Sequence, residues 1–407
     1  MKFCMVTTFF PPYSMGGDAV YVARLSEALA RRGHEVHVVH DIDAYHASGG
    51  TAPRGGYTAL PGVTVFPLSS PFGRLSPLLT HQTGRSLLKG TLRERLSTGG
   101  YDVVHFHNVS LIGLDALSWG GDSVRLLTTH EHWLVCPTSI LWRYDREVCD
   151  AEECIRCTLH AGRPPQLWRN GSFLAQQLAH LDAVIAPSRF VQETHRARGL
   201  DLPFEVLPHF APAEPAVGGG RVHPRPYFIY VGRLVKAKGV QTLFPVFQGS
   251  DGPDLLVVGD GPYQDELQQM AAGLSRVCFM GWQPHDALHN LYQHARAAIV
   301  PSLCYEVFGM VVLEAFSANT PVIARDLGAL AEIVGESVGG LLFSTDEELT
   351  AAMDRIEREP ELRERLAANG VRMLEQRWTE ARHLDQYFGI IERARLHRRR
   401  LTAGTVS

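Results

Sequence analysis

Nowhere in the 407 residues is there an uninterrupted apolar run approaching the roughly 18 that a membrane-spanning helix needs, so the chain is expected to be soluble or at most peripheral. The start is not expected to be a secretory signal either. The apolar start from Phe3 to Phe10 is interrupted by Thr7 and Thr8 and stopped by Pro11-Pro12, which suits a first buried strand. Neither sign of charge is in large excess: 39 Lys and Arg face 43 Asp and Glu, a formal charge of −4 that excludes bulk electrostatic binding of nucleic acid. Cysteine is scarce and odd in number, at seven. Without an export signal these thiols are expected to be reduced or to hold a metal, in a cytoplasmic protein.

What is present points to two domains of roughly 200 residues each, because one hydrophobic core rarely serves so long a chain. Short β-branched and apolar runs alternate with helical stretches throughout, the rhythm of an α/β fold with parallel sheets covered on both faces. In the first half strands are expected at Lys2 to Thr7, Glu35 to His40, Val63 to Pro67, Tyr101 to His105, Val124 to Thr129, Asp182 to Ala186 and Phe204 to Leu207. Residues 211–226 are rich in Pro, Gly and Ala without periodicity and read as a linker between a domain over 1–210 and another over 227–378. Strands of the second are expected at Tyr227 to Val231, Leu255 to Val258, Val277 to Met280, Ala298 to Val300, Pro321 to Ala324 and Gly340 to Phe343. A helix and basic tail over 379–407 close the chain. Two doubly wound domains bind ligands at the carboxyl ends of their strands, so the expected site is the cleft that the domains face.

Three motifs stand at such strand ends. PSLCYEVFGMVVLEAF, residues 301–316, turns from a strand into a helix near Gly309, where the amides of Phe308, Gly309 and Met310 suit an anionic diphosphate. Glu306 and Glu314 bracket that turn; the second lies in an otherwise apolar run, which is unusual for a carboxylate without a partner. YFIYVGRLVKAKGVQTLF presents Arg233 and Lys238 after a strand, a planar fork and a point charge that together can neutralise a diphosphate. VVGDGPYQDELQQM supplies a further strand-to-helix turn at Gly259 and Gly261.

The order GRLVKAKG, VVGDGP, EVFGMVVLE resembles the donor half of retaining glycosyltransferases of the GT-B fold, sequence family four, which includes bacterial mannosyl- and glucosyltransferases. The first half is similar too: Gly16-Gly17 after the first strand, a helix from Ala19 to Arg31 followed by Gly33-His34-Glu35-Val36, and DAVIAPSRFVQETH at 182–195. The resemblance implies two Rossmann-like domains facing a cleft and transfer of a hexose-type sugar from a nucleotide-diphosphate sugar to an unidentified acceptor. It implies catalytic roles for His130, Glu306, Arg233 and Lys238. Arg233 and Lys238 would hold the diphosphate, Glu306 the sugar hydroxyls and Glu314 the ribose, while Gly17 would let backbone approach the phosphates and His130 would face the transferred sugar. No catalytic cofactor is implied. The readings left open are another GT-B enzyme, such as a nucleotide-sugar epimerase or a phosphorylase, and a non-catalytic sugar-nucleotide-binding scaffold.

Three features lie outside that pattern. Cys136, Cys149, Cys154 and Cys157 fall within an insertion over 136–157, and four thiolates suit a closed structural zinc site. Residues 70–96 carry Phe72, Leu75, Leu78 and Leu79, then a basic stripe of Arg85, Lys89 and Arg93 beside Leu88, Leu92 and Leu96. That segment suits peripheral contact with the inner face of a membrane, or an ordinary surface helix with its apolar side in the core. The terminal cluster Arg393, Arg395, His397, Arg398, Arg399 and Arg400 would add to that surface or form a solvated tail. Asp41-Ile42-Asp43 has the form of a metal-binding element of another transferase fold and is read here as a loop.

Overall fold

The computed structural model describes residues 1–50, 53, 56–211, 219–220 and 222–404, and the greater part of the expected linker lies outside them. The chain forms two compact units, one of residues 1–139, 153–207 and 383–407, the other of residues 140–152 and 208–382.

In the first unit β1 (Lys2–Val6), β2 (Glu35–Asp41), β3 (Val63–Leu68), β4 (Val103–Phe106) and β5 (Val124–Thr128) precede a two-residue hairpin, β6 (Trp142–Arg143) and β7 (Glu147–Val148), that belongs to the second unit. Then follow β8 (Ala183–Ala186) and β9 (Phe204–Val206), giving a seven-stranded parallel sheet of order β3-β2-β1-β4-β5-β8-β9. Phe3, Cys4, Met5 and Val6 are all 0% exposed. A central parallel strand is covered on both faces, which is why β1 reads as a continuous apolar run and not as an alternation.

The second unit holds β10 (Tyr227–Val231), β11 (Asp254–Val258), β12 (Val277–Gly281), β13 (Ala298–Val300), β14 (Val322–Arg325) and β15 (Gly340–Phe343), all parallel in the order β12-β11-β10-β13-β14-β15. Alternate residues of β10 feed separate cores on its two faces. Tyr227 and Ile229 pack with Phe316 and Trp378, whereas Phe228 and Tyr230 pack with Leu243 and Phe247. The hairpin is anchored within this unit by Trp142, which packs with Ala237 and Cys304, and by an ion pair from Lys236 to Asp145.

The last helix, Glu380–Gly404, belongs to the first unit from His383 onward. Its buried Tyr387 packs on Phe3 and shares a 2.9 Å hydrogen bond with His105 Nδ1. Arg393 grips both oxygens of Glu205 at 3.0 Å, Arg395 meets Asp102 at 3.2 Å and Arg398 meets Asp182 at 3.5 Å. These three arginines of the basic cluster are therefore paired rather than a free tail; the side chains of Arg399 and Arg400 lie outside the described residues. The segment 70–96 forms two helices, Leu75–Thr83 and Lys89–Thr98. Leu88, Leu92 and Leu96 are buried, while Phe72, Leu75, Leu78 and Leu79 are exposed; the Lys89 side chain is outside the described residues.

Gly370, inside the helix Pro360–Arg377, tests how tightly the second core is packed. Alanine in a helix interior normally gains about 1 kcal/mol over glycine. Here a Cβ would lie 2.3 Å from the Phe316 ring, which is fully buried and stacked on Trp378 at 6.3 Å. Overpacking of that kind costs about 1–3 kcal/mol, so Gly370→Ala is expected to lower stability by about 1 kcal/mol net. Urea unfolding decides it: a midpoint at or above wild type would mean that the ring has room to move.

Candidate active site

The order of the second sheet reverses between β10 and β13, and at such a point the loops leaving two adjacent strands diverge and open a crevice. The loop after β10 carries Arg233 and Lys238; the loop after β13 carries Ser302 and Glu306. Glycines let these loops touch. A Cβ on Gly239, which has φ 76°, would lie 2.1 Å from the Pro301 carbonyl oxygen; the loop after β11 approaches the β10 loop in the same way, where a Cβ on Gly259, φ 130°, would lie 2.0 Å from the Gly232 carbonyl oxygen. The Leu303 amide donates to the Ala237 carbonyl at 2.8 Å, closing the two loops on each other.

Lys238 Nζ donates to Glu306 Oε1 at 2.5 Å, and Ser302 Oγ donates to the same oxygen at 2.5 Å. The side chains are 31% and 17% exposed, so the pair is shielded but reachable. Burial disfavours both charges, yet the ion pair outweighs it. Lys238 is held above the ordinary lysine value, with Glu306 the chief opposing cause, and Glu306 is held below the ordinary carboxylate value by Lys238 and Ser302. Both therefore stay charged at neutral pH. Among the described residues Glu306 Oε2 receives no hydrogen bond and the exposed Arg233 has no ion-pair partner. An open carboxylate oxygen and an open guanidinium beside a fixed ammonium can hold a hydroxyl and an anion together.

Gly309, φ 94°, starts the helix Met310–Ser317, whose first turn contains no acidic residue. The Phe308 side chain is buried against His209 and Trp378, so this residue has only its backbone to offer a ligand. Glu314 is not an unpartnered charge: the buried Tyr292 hydroxyl donates to its Oε2 at 3.4 Å.

In the first unit the corresponding reversal lies between β1 and β4. Gly16, φ 86°, is the residue before the helix Gly17–Arg31; the left-handed backbone falls on it, and Gly17 is the first helical residue. His130 follows β5, its Nε2 3.0 Å from His107 Nδ1 and its ring packed against Tyr21. Burial pushes its pKa down to about 3, leaving a neutral imidazole. Burial likewise raises Asp18 to about 6 and, with repulsion from Asp18, Glu131 to about 7, against opposing bonds from Asn108 to the first and from Ser139 and Ser110 to the second.

All seven cysteines are free thiols. Cys136 is buried in the first unit with its Sγ 3.2 Å from Thr138 Oγ1, Cys154 and Cys157 lie one turn apart on the helix Cys154–His160, and Cys149 belongs to the second unit. Among the described residues His223, Asp254 and Cys278 have metal-ligand proximity. The Asp254 carboxylate is already matched, by His223 Nε2 at 2.7 Å and Arg225 Nε at 3.3 Å. Asp41-Ile42-Asp43 is not the expected loop. Asp41 ends β2 and caps the next helix by accepting from the Asp43 and Ala44 amides, and Asp43 accepts from the Ser70 amide at 2.6 Å.

Ser302, Tyr292, His107, Asp18 and Glu131 were not singled out from the sequence. Two had a visible signal: Ser302 precedes Glu306 by one loop turn, and His105 and His107 alternate along a strand, so they share a face.

Glu131 gives a pH signature. A carboxyl whose folded pKa lies near 7, against an ordinary value of 4.5, keeps its proton in the fold where the unfolded chain has lost it. Its contribution to stability therefore falls as pH rises from about 4.5 and is fully lost above about 7. Glu131→Gln removes that dependence, so its melting temperature relative to wild type is expected to rise between pH 5 and pH 8. A difference independent of pH would show that Glu131 titrates normally.

Residues 15–214 match the family model described as Glycosyltransferase Family 4, and residues 218–373 match that described as Glycosyl transferases group 1. An uncharacterized glycosyltransferase of Methanocaldococcus jannaschii is 26% identical over 373 residues, covering 84% of each chain. Sucrose-phosphate synthase from Thermosynechococcus elongatus is similar in structure with a TM-score of 0.69 at 22% identity, covering 99% of both chains. Anabaena HepE, in complex with UDP and glucose, has a TM-score of 0.66 at 19% identity, covering 96% of this chain and 99% of that one. The structural likenesses establish the fold, GT-B with two Rossmann-like domains. With two adjoining family models spanning most of its length, the chain belongs to the group 1, family 4 glycosyltransferases and is a transferase.

Proposed function

We propose that this enzyme is a retaining glycosyltransferase that moves a hexose-type sugar from a nucleotide-diphosphate sugar to a hydroxyl acceptor, without a catalytic metal. The observation that carries the reading is the Lys238–Glu306 pair at the reversal of the second sheet, with Arg233 and Glu306 Oε2 left open beside it. Arg233 and Lys238 take the diphosphate oxygens, the amides of Phe308, Gly309 and Met310 add to that hold, and Glu306 Oε2 accepts from a sugar hydroxyl. Glu314, oriented by Tyr292, takes the ribose. Gly17 gives room for the phosphates, and His130, kept neutral, serves the transferred sugar as a hydrogen-bond partner rather than as a cation. The bound UDP of the Anabaena protein supports a donor of this class.

Cleavage of the bond from sugar to phosphate builds positive charge on the anomeric carbon and negative charge on the leaving diphosphate. Fixed cations stabilise the latter without reorganising, which is where most of the rate comes from. Retention follows if the leaving phosphate takes the acceptor's proton on the face it vacates. The acceptor is a glycan, a lipid-linked sugar or a natural product; the exposed Phe72, Leu75, Leu78 and Leu79 suit peripheral contact with a membrane.

Two measurements test this. Among UDP-, GDP-, ADP- and dTDP-sugars, one donor is expected to release its nucleotide slowly in water, and Glu306→Ala or Lys238→Ala to reduce that rate about 100-fold or more. Turnover that requires free phosphate would instead mark a phosphorylase, and failure of every donor either to react or to raise the melting temperature would leave a scaffold. Flotation with anionic liposomes is expected to recover wild type and to lose a variant with Phe72, Leu75, Leu78 and Leu79 changed to Ser; equal recovery would remove the membrane contact.

A further inference from the structure

His105 and His107 lie two residues apart at the end of β4 and are 0% and 1% exposed. Neither has a part in the sugar transfer proposed above. Two imidazoles in the core of a parallel sheet displace apolar side chains and must satisfy four nitrogens, so their presence asks for a reason. His105 is closed on both sides, its Nδ1 2.9 Å from the Tyr387 hydroxyl and its Nε2 2.8 Å from Thr128 Oγ1. It ties β4 to β5 and to the last helix. His107 continues the register of β4, its amide donating to the Val6 carbonyl at 2.8 Å, and its ring lies 3.9 Å from that of His105. Its Nδ1 reaches 3.0 Å from His130 Nε2, with the two rings inclined by 27°. Tyr21 closes the group, packing on both rings and sharing a 3.0 Å hydrogen bond with His383 Nε2. Every one of these residues belongs to the first unit.

An imidazole facing the neutral His130 ring nitrogen to nitrogen shares one hydrogen with it. If His107 donates, His130 Nε2 accepts and the His130 proton sits on Nδ1; if His107 accepts, the proton sits on Nε2 and Nδ1 becomes the acceptor. Either way the His107 nitrogen decides which role is left to His130, and the packing of Tyr21 and His105 decides the ring plane.

We propose that His107 is a positioning residue that fixes the ring orientation and tautomer of His130, with His105 and Tyr387 holding His107 in register. This rests on the reading of His130 as a partner of the transferred sugar. A ring presented in the wrong tautomer offers a donor where an acceptor is needed, and the loss falls on turnover rather than on binding, because the diphosphate is held by other residues.

The test compares His107→Leu, which fills the space without a hydrogen bond, with His107→Asn, whose amide stands near the position of Nδ1 and can donate or accept. In donor hydrolysis His107→Leu is expected to lower kcat about 10- to 100-fold, the range for outer partners of functional histidines, with KM altered less than about threefold. His107→Asn is expected to recover kcat to within about fivefold of wild type at an equal melting temperature. Wild-type kcat in His107→Leu, or no recovery in His107→Asn, overturns the proposal, as does a loss confined to KM. A second readout needs no turnover. In the full chain labelled with ¹⁵N-histidine, a slowly exchanging ring N–H signal is expected that disappears in both His107→Leu and His130→Gln. Its persistence in either variant means the rings do not share that proton. If no donor is hydrolysed or raises the melting temperature of wild type the sugar reading fails, and this signal still decides the pairing.

Discussion

Everything in the second unit depends on where its sheet changes direction. Strands added outward from β10 on one side and from β13 on the other send their return helices to opposite faces, so the loops leaving these two neighbours cannot lie over each other and a crevice remains. The Lys238–Glu306 pair is built from those two loops, 68 residues apart in sequence. No local propensity could bring them together. The close approach has a steric condition, met by Gly239, since any side chain there would meet the Pro301 carbonyl oxygen at 2.1 Å. The chemistry is thus a property of topology first and of residue type second.

The two units deal with buried ionisable groups in opposite ways. At the crevice of the second unit Lys238 and Glu306 keep their charges, because each has the other within hydrogen-bond range: burial raises Glu306 and lowers Lys238, and the pair reverses both. At the strand ends of the first unit His130 is driven down to about 3, Glu131 up to about 7 and Asp18 up to about 6, with burial the largest cause each time. Burying a charge costs several kcal/mol unless its partners offset it, and for these three groups burial outweighs what their neighbours give back, Arg169 near Glu131 included. A fixed positive field suits an anionic diphosphate, and groups near neutrality suit hydroxyls, which need donors and acceptors but no countercharge.

Most of the fold was legible because parallel sheets write themselves into sequence as short apolar runs separated by helical periods. All thirteen strands expected from those runs are present, with ends shifted by no more than two residues. The hairpin β6–β7 was not expected, since two-residue strands have no period to detect. The donor-side residues were legible for a different reason: Arg233, Lys238 and Glu306 stand at strand ends, where geometry gives polar residues a purpose. What escaped was pairing. Spacing shows that Cys154 and Cys157 lie one helical turn apart, but nothing in spacing says that Cys149 belongs to the second unit and Cys136 to the first. Asp41 illustrates the same limit, because a carboxylate that caps a helix and one that binds a metal are spelled alike.

His107 shows why second-layer residues are hardest to read and why they matter. On its own it is a histidine in a strand, the commonest structural use of that residue in an α/β core. Its alternation with His105 places both on one face, yet only coordinates show that one ring is closed by Tyr387 and Thr128 while the other turns toward His130. A neutral imidazole is the one side chain whose two nitrogens exchange donor and acceptor roles without a change in charge. Placed among buried groups that lie close to neutrality, it depends on its hydrogen-bond neighbours for its tautomer. A polar network inside a sheet is costly unless every member is satisfied. The chain retains two stretches of one, Tyr387–His105–Thr128 and His107–His130, joined by the packing of the His105 ring on the His107 ring, so the placement of the last helix and the orientation of the His130 ring are linked through that stack.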